Sequence, residues 1–60
     1  MEIRPGQTWR IDAETSFYVD EVDDEKAVGT MIVEAGGQAF SAAAFTRADF
    51  AGFELLADDG

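Results

Sequence analysis

The chain has no cysteine and no histidine, one proline, and four Lys and Arg residues against thirteen Asp and Glu. Without cysteine there is no disulfide, no thiolate zinc site and no thiol redox motif. Without histidine the commonest general base and metal ligand is missing. Apolar runs fall far short of the roughly 20 residues that span a bilayer. The opening Met1-Glu2-Ile3-Arg4-Pro5-Gly6 lacks the basic-then-apolar pattern of a signal peptide. The expectation is one small cytoplasmic domain over residues 1–60, with no cofactor, metal or membrane contact. Its 60 residues leave no room for a second core, because so short a chain buries only about 60% of its unfolded surface.

What is present is enough to fold. Apolar residues make up 47% of the chain and include five Phe, one Tyr and one Trp. Disordered chains combine high charge with few such residues. The formal net charge of −9 adds self-repulsion to a core that is already marginal at this size. A homodimer is one expected remedy.

Arg4-Pro5-Gly6 reads as a turn. Gln7 to Ile11 alternates, with Trp9 and Ile11 on one face, and reads as a first strand. Residues 15–22 are rich in β-branched and aromatic types and read as a second. Phe17 and Val19 share a face there, and a bulge near Asp20-Glu21 brings Val22 back into phase. Asp23-Asp24-Glu25-Lys26 is a turn and 27–34 a third strand, where Gly29 marks a bend or a close backbone approach. Ala35-Gly36-Gly37 closes a hairpin.

The last third has two readings. In the first, 38–45 is a fourth strand with Phe40, Ala42 and Ala44 inward. Thr46-Arg47-Ala48-Asp49 is then a capping box opening one helical turn, and Phe53-Glu54-Leu55-Leu56 closes as a fifth strand. In the second, residues 41–57 form one helix behind an antiparallel meander. Gly52 costs that helix roughly 1 kcal/mol, and Asp49 would face the core. The fold expected first is therefore mostly β, a small five-stranded SH3-like barrel with one short helical turn before the last strand. Its expected core is Trp9, Ile11, Phe17, Val19, Val22, Val28, Ile32, Phe40, Phe45, Phe50, Phe53 and Leu55.

Three stretches resemble small SH3-like β-barrel proteins of bacteria and their phages: Pro5-Gly6-Gln7-Thr8-Trp9-Arg10, Phe17-Tyr18-Val19-Asp20-Glu21-Val22-Asp23, and the ending Phe50…Phe53-Glu54-Leu55-Leu56. The resemblance covers most of the chain through short motifs. It implies a fold and carries no catalytic residues.

Catalysis has little to work with. Ser16, Ser41 and the threonines have no histidine beside them to act as base, and Lys26 stands in an acidic turn. An acid-base carboxyl pair needs a cleft that raises one pKa, and a barrel this small has little room for one. The chain is expected not to be an enzyme. Asp20, Glu21, Asp23, Asp24 and Glu25 are hard oxygen ligands, but their spacing does not match an EF-hand loop.

The acids are unevenly placed. Seven lie between residues 12 and 25: Asp12, Glu14, Asp20, Glu21, Asp23, Asp24 and Glu25. So acidic a chain repels nucleic acid, whose affinity for proteins comes from Lys and Arg. It suits a basic nucleic-acid-binding protein as partner. Same-face carboxylates on a strand repeat about every 6.6 Å, against one phosphate per about 3.4 Å along a duplex strand. Two adjacent acidic elements therefore approach phosphate density. The expected contact residues are those seven. By size and charge the chain resembles phage-encoded acidic DNA mimics of the anti-CRISPR and anti-restriction type. The alternative is a generic SH3-like protein-binding adaptor, with an apolar patch around Tyr18 and Trp9 and an acidity that serves solubility or salt adaptation.

Overall fold

A computed structural model describes residues 2–59. Its strands are β1 (Gln7–Asp12), β2 (Thr15–Val22), β3 (Lys26–Val33), β4 (Gln38–Thr46) and β5 (Glu54–Asp58). All lie in one antiparallel sheet of order β4-β3-β2-β1-β5. The first four form a meander, and the fifth returns to the far side of β1. The mostly-β fold of five strands with one short helical turn before the last is as expected. The sheet is open between β4 and β5. That seam is bridged by a 3₁₀ turn, Asp49–Gly52, whose Phe50 ring stacks edge-on to Trp9 at 5.1 Å.

The helix over 41–57 does not form. Gly52 and the inward Asp49 already count against it, and the short segment after Thr46 makes a single 3₁₀ turn instead. The Thr46–Asp49 box closes reciprocally just before that turn. Asp49 N–H donates to Thr46 Oγ1 at 3.3 Å, and Thr46 N–H donates to Asp49 Oδ2 at 3.0 Å.

Facing residues set the core. Trp9, Phe17, Val19, Ala27 and Phe50 are buried together with Ile3. Ile11, Val22, Met31, Ala43, Phe45 and Phe53 pack against them half-buried. Edge-to-face rings link Phe17 to Phe45 at 4.9 Å and Phe45 to Phe53 at 5.3 Å, so aromatic packing spans the open seam. Such pairs add about 0.5–1.5 kcal/mol each beyond their buried area.

The β2–β3 register breaks between Val19 and Glu21. This bulge at Asp20 returns Val22 to the inner face, opposite Ala27. Gly29 sits opposite Val19, and a Cβ there would lie 1.9 Å from the Tyr18 carbonyl oxygen. The close approach expected at Gly29 is real.

Four expected core residues are corrected. Because Met31 pairs with the inward Phe17, and Gly29 with the inward Val19, Val28 and Ile32 fall on the outer face. Ala27 takes the inward place. Phe40 and Leu55 do lie opposite the inner-face residues Met31 and Trp9, yet they are 45% and 41% exposed at the open margins of the sheet. On β4 the inward positions after Phe40 are Ala43 and Phe45, not Ala42 and Ala44. A bulge causes this: Gly29 pairs with Ala43 and Met31 with Phe40, which leaves Ser41 and Ala42 opposite Thr30 alone. Ala42 enters the left-handed region there, at φ 62°.

One polar residue is wholly inside. Gln7, 1% exposed, follows the parity of Trp9. Its Oε1 accepts from Arg4 N–H at 2.8 Å and Trp9 Nε1 at 3.1 Å; its Nε2 donates to the Glu2 carbonyl at 3.0 Å and to Asp58 Oδ2 at 3.3 Å. The amide is fully satisfied, as burial requires. It laces the N-terminal segment and the end of β5 to β1.

Candidate functional site

The acids around the β2–β3 turn form the most anionic segment. Asp23 builds that turn. Its Oδ1 accepts the backbone N–H groups of Glu25 and Lys26, both at 2.8 Å. Those two bonds hold its carboxyl below the usual value, with smaller help from the charges of Lys26 and Arg47. Arg47 reaches over from the end of β4. Its Nε donates to the Asp24 carbonyl at 3.1 Å and its Nη2 to the Asp23 carbonyl at 3.0 Å. Its backbone N–H donates to the Glu25 carbonyl at 3.3 Å.

The turn is thus fixed by backbone acceptors, which leaves the carboxylates of Asp24 and Glu25 outside these bonds. Asp20 and Glu21 precede it on β2. All of these residues are exposed.

A second acidic segment joins them through Gly6. Gly6 N–H donates to the Val19 carbonyl at 2.9 Å, and the Gly6 carbonyl accepts from Asp59 N–H at 3.2 Å. Gly6, at φ 91°, takes a conformation open mainly to glycine. The link sets Asp59 about 10 Å from the β2 backbone beside Asp20, two strand spacings away. Asp58, next to it, is paired with Arg4 and bonded to Gln7.

Asp12 and Glu14 do not lie beside the others. Asp12 ends β1 and Glu14 lies in the β1–β2 turn, at the opposite end of β2. Seven strand steps at ~3.3 Å put about 23 Å between the two ends. Asp12 is itself a turn builder: it accepts Glu14 N–H at 2.9 Å, and that bond first, then one from Thr15, lowers its pKa. Glu34 stands at this end too, since its N–H donates to the Glu14 carbonyl at 2.7 Å.

Other side chains also find their places. Trp9 is 0% exposed, so no apolar patch forms around Tyr18 and Trp9. Tyr18 stands on the outer face, between Thr8 and Thr30, on the same side as Val28 and Ile32. Arg4 pairs with Asp58, and Arg10 Nη1 donates to the Ala13 carbonyl at 3.4 Å. A shallow cavity of about 250 Å³, lined by Ile3, Arg47, Phe50 and Ala51, opens next to the acidic turn. Among the described residues no three acids are grouped so as to hold a metal ion, and no helix is long and apolar enough to cross a membrane.

Sequence reasoning missed two residues of this region. Arg47 was legible only as a filler of the capping box, and its reach to residues 23–25 is long-range. Gln7 shares the parity of Trp9 and Ile11, and that signal alone places it inside. No protein-family model, no curated protein and no solved structure matches the chain.

Proposed function

We propose that the protein is a non-enzymatic acidic interaction module that occupies a basic, nucleic-acid-binding surface of a partner protein. One observation carries the reading: the Gly6 link gathers acids from separate elements at one end of the sheet. Asp20, Glu21, Asp23, Asp24 and Glu25 come from β2 and its turn, and Asp59 from beyond β5. Convergence from more than one element is what phosphate mimicry needs and an even solvating coat does not. Asp12 and Glu14 drop out of the contact set by distance.

The rigidity of the turn favours the same reading. Carboxylates on a pre-set backbone lose little ordering entropy on binding. They would meet Arg side chains of the target in charge-assisted, two-pronged contacts. Long-range attraction would speed encounter and fade with salt. The Cα radius of gyration, 10.5 Å, suits a short recognition cleft and not a long duplex track. A phage-encoded inhibitor of host defence is one setting for such blocking.

The test is affinity capture from a lysate, with washes at low and high salt and with duplex DNA as competitor. A basic nucleic-acid-binding protein released by salt and by DNA supports the proposal. A partner that survives high salt and ignores DNA overturns it in favour of the adaptor reading, with the acids serving solubility.

A further inference from the structure

Residues 35–46 carry no charged side chain, in a chain whose formal net charge is −9. The same stretch supplies β4, nine residues long, at one edge of the sheet. Natural edge strands are blunted by charge, proline or shortness; β4 has none of these. What guards it among the described residues is the Ser41–Ala42 bulge and, at its C-terminal end, the 3₁₀ turn Asp49–Gly52. The other edge, β5, carries Glu54 and Asp58.

We infer that β4 is a self-association edge, and that its occupant is the β4 strand of a second copy. The choice of a second copy rests on charge. Any approach through β1, β2 or β5 brings carboxylates of two anionic molecules together, whereas β4 on β4 brings none. Pairing β4 with β5 of another copy would be head-to-tail and would leave edges open for further growth. Pairing β4 with β4 is two-fold and closes.

Register follows from parity. Phe40 lies opposite Met31 and Phe45 opposite Ala27, so both belong to the inner face. Antiparallel partners share a face. The matching register sets Phe40 of one copy across from Phe45 of the other, and Ala39 across from Thr46, around a two-fold axis at the bulge. The 45% exposed Phe40 is then covered twice over by symmetry. Main-chain hydrogen bonds supply the affinity, as in other strand additions.

Sedimentation equilibrium of the intact protein across micromolar to millimolar concentration tests this. The expected result is a shift from 6.5 kDa towards twice that mass, tightening as salt rises because screening relieves the repulsion of like-charged copies. The proposed target binding should weaken with salt, so the two ideas fail separately. Ala39→Asp and Ala44→Asp should each weaken self-association about tenfold by burying a charge in an uncharged seam between two anionic copies. Amide exchange on the unaltered protein, read against concentration, should protect β4 and leave β5 unchanged; it decides the matter should a variant fail to fold. A monomer at every concentration and salt, or protection of β5 in place of β4, overturns the inference.

Discussion

Gln7 accepts the indole N–H of Trp9 at 3.1 Å, inside a core where Trp9 has no exposed surface. This makes one amide the keystone of the N-terminal half. The same side chain holds Arg4, Glu2 and Asp58. Gln7→Leu keeps the volume but strips Trp9 Nε1 and Arg4 N–H of their acceptor. An abandoned buried donor costs about 1–3 kcal/mol. A domain of this size has roughly 3–9 kcal/mol in total, at 0.05–0.15 per residue. Urea denaturation should therefore show a loss of a third or more of the stability. Gln7→Glu should be worse at neutral pH, since a buried carboxylate would face the Glu2 carbonyl and Asp58. Its folded-state pKa would be raised, so the variant should be most stable below the unfolded carboxyl value and weaken as pH rises through the folded one. A flat pH profile for Gln7→Glu would show that the amide's donors do not matter.

Gly29 and Gly52 should respond oppositely to alanine. At Gly29 the new Cβ would meet the Tyr18 carbonyl oxygen at 1.9 Å and Asp20 N at 3.0 Å. These are backbone atoms at a bulge, so the strands would have to part. Gly29→Ala should cost more than about 4 kcal/mol, the range reserved for gross structural offence, and leave the chain largely unfolded by circular dichroism. Around Gly52 nothing lies within 4 Å and no positive φ is required. Gly52→Ala should raise stability by about 0.4–1 kcal/mol through the unfolded chain's lost freedom. A folded Gly29→Ala protein would mean that the β2–β3 pairing is not as described.

Much of this fold is written locally. The limits of β2, the bulge at Asp20, the close approach at Gly29 and the Thr46–Asp49 box all follow from short-range patterns of side-chain type. What is not local was not legible. The parity of β3 is set by its partner Phe17, not by the apolar content of Val28 and Ile32, so those two went to the wrong face. The β4 bulge depends on pairing with Thr30 and cannot be counted off along 38–46. The acids were misjudged for the same reason. Asp12 and Asp20 are near in sequence but sit at opposite ends of an eight-residue strand, whereas Asp59 is distant in sequence and comes close through Gly6.

Asp23 should titrate below the usual carboxyl value. Its charged form accepts the N–H groups of Glu25 and Lys26, which lowers its pKa from 3.8. A depressed folded-state pKa contributes stability that is present above 3.8 and is lost as pH falls through the lower folded value. Carbon-detected NMR should place the Asp23 midpoint below 3.8. Asp23→Ala should remove part of the acid-side loss of stability; an unchanged slope would place the stabilising bonds elsewhere.

The same geometry decides how the proposed binding surface must be probed. Reversing Asp23 is a poor test, because Asp23→Lys removes the acceptor for two backbone N–H groups and disorders the turn it was meant to recharge. Asp24 and Glu25 are held through backbone groups: both carbonyls accept from Arg47, and Glu25 N–H donates to Asp23 Oδ1. Asp24→Lys with Glu25→Lys reverses two charges and leaves those bonds in place. The double variant should melt close to the unaltered protein, since substitutions on exposed turns usually fall within about 0.5 kcal/mol. It should bind a captured basic partner at least about tenfold more weakly, from the loss of charge-assisted contacts, and its remaining affinity should depend less on salt. Asp12→Lys with Glu14→Lys is the matched control, with two charges reversed at the far end of β2. The Asp12 change will loosen its own turn, so the control is read on binding and not on melting. Equal losses from both pairs would mean that general charge governs association. Loss from the Asp24 and Glu25 pair alone would locate the contact at the turn that Arg47 holds. Full affinity in that pair would remove the acidic end as the binding surface.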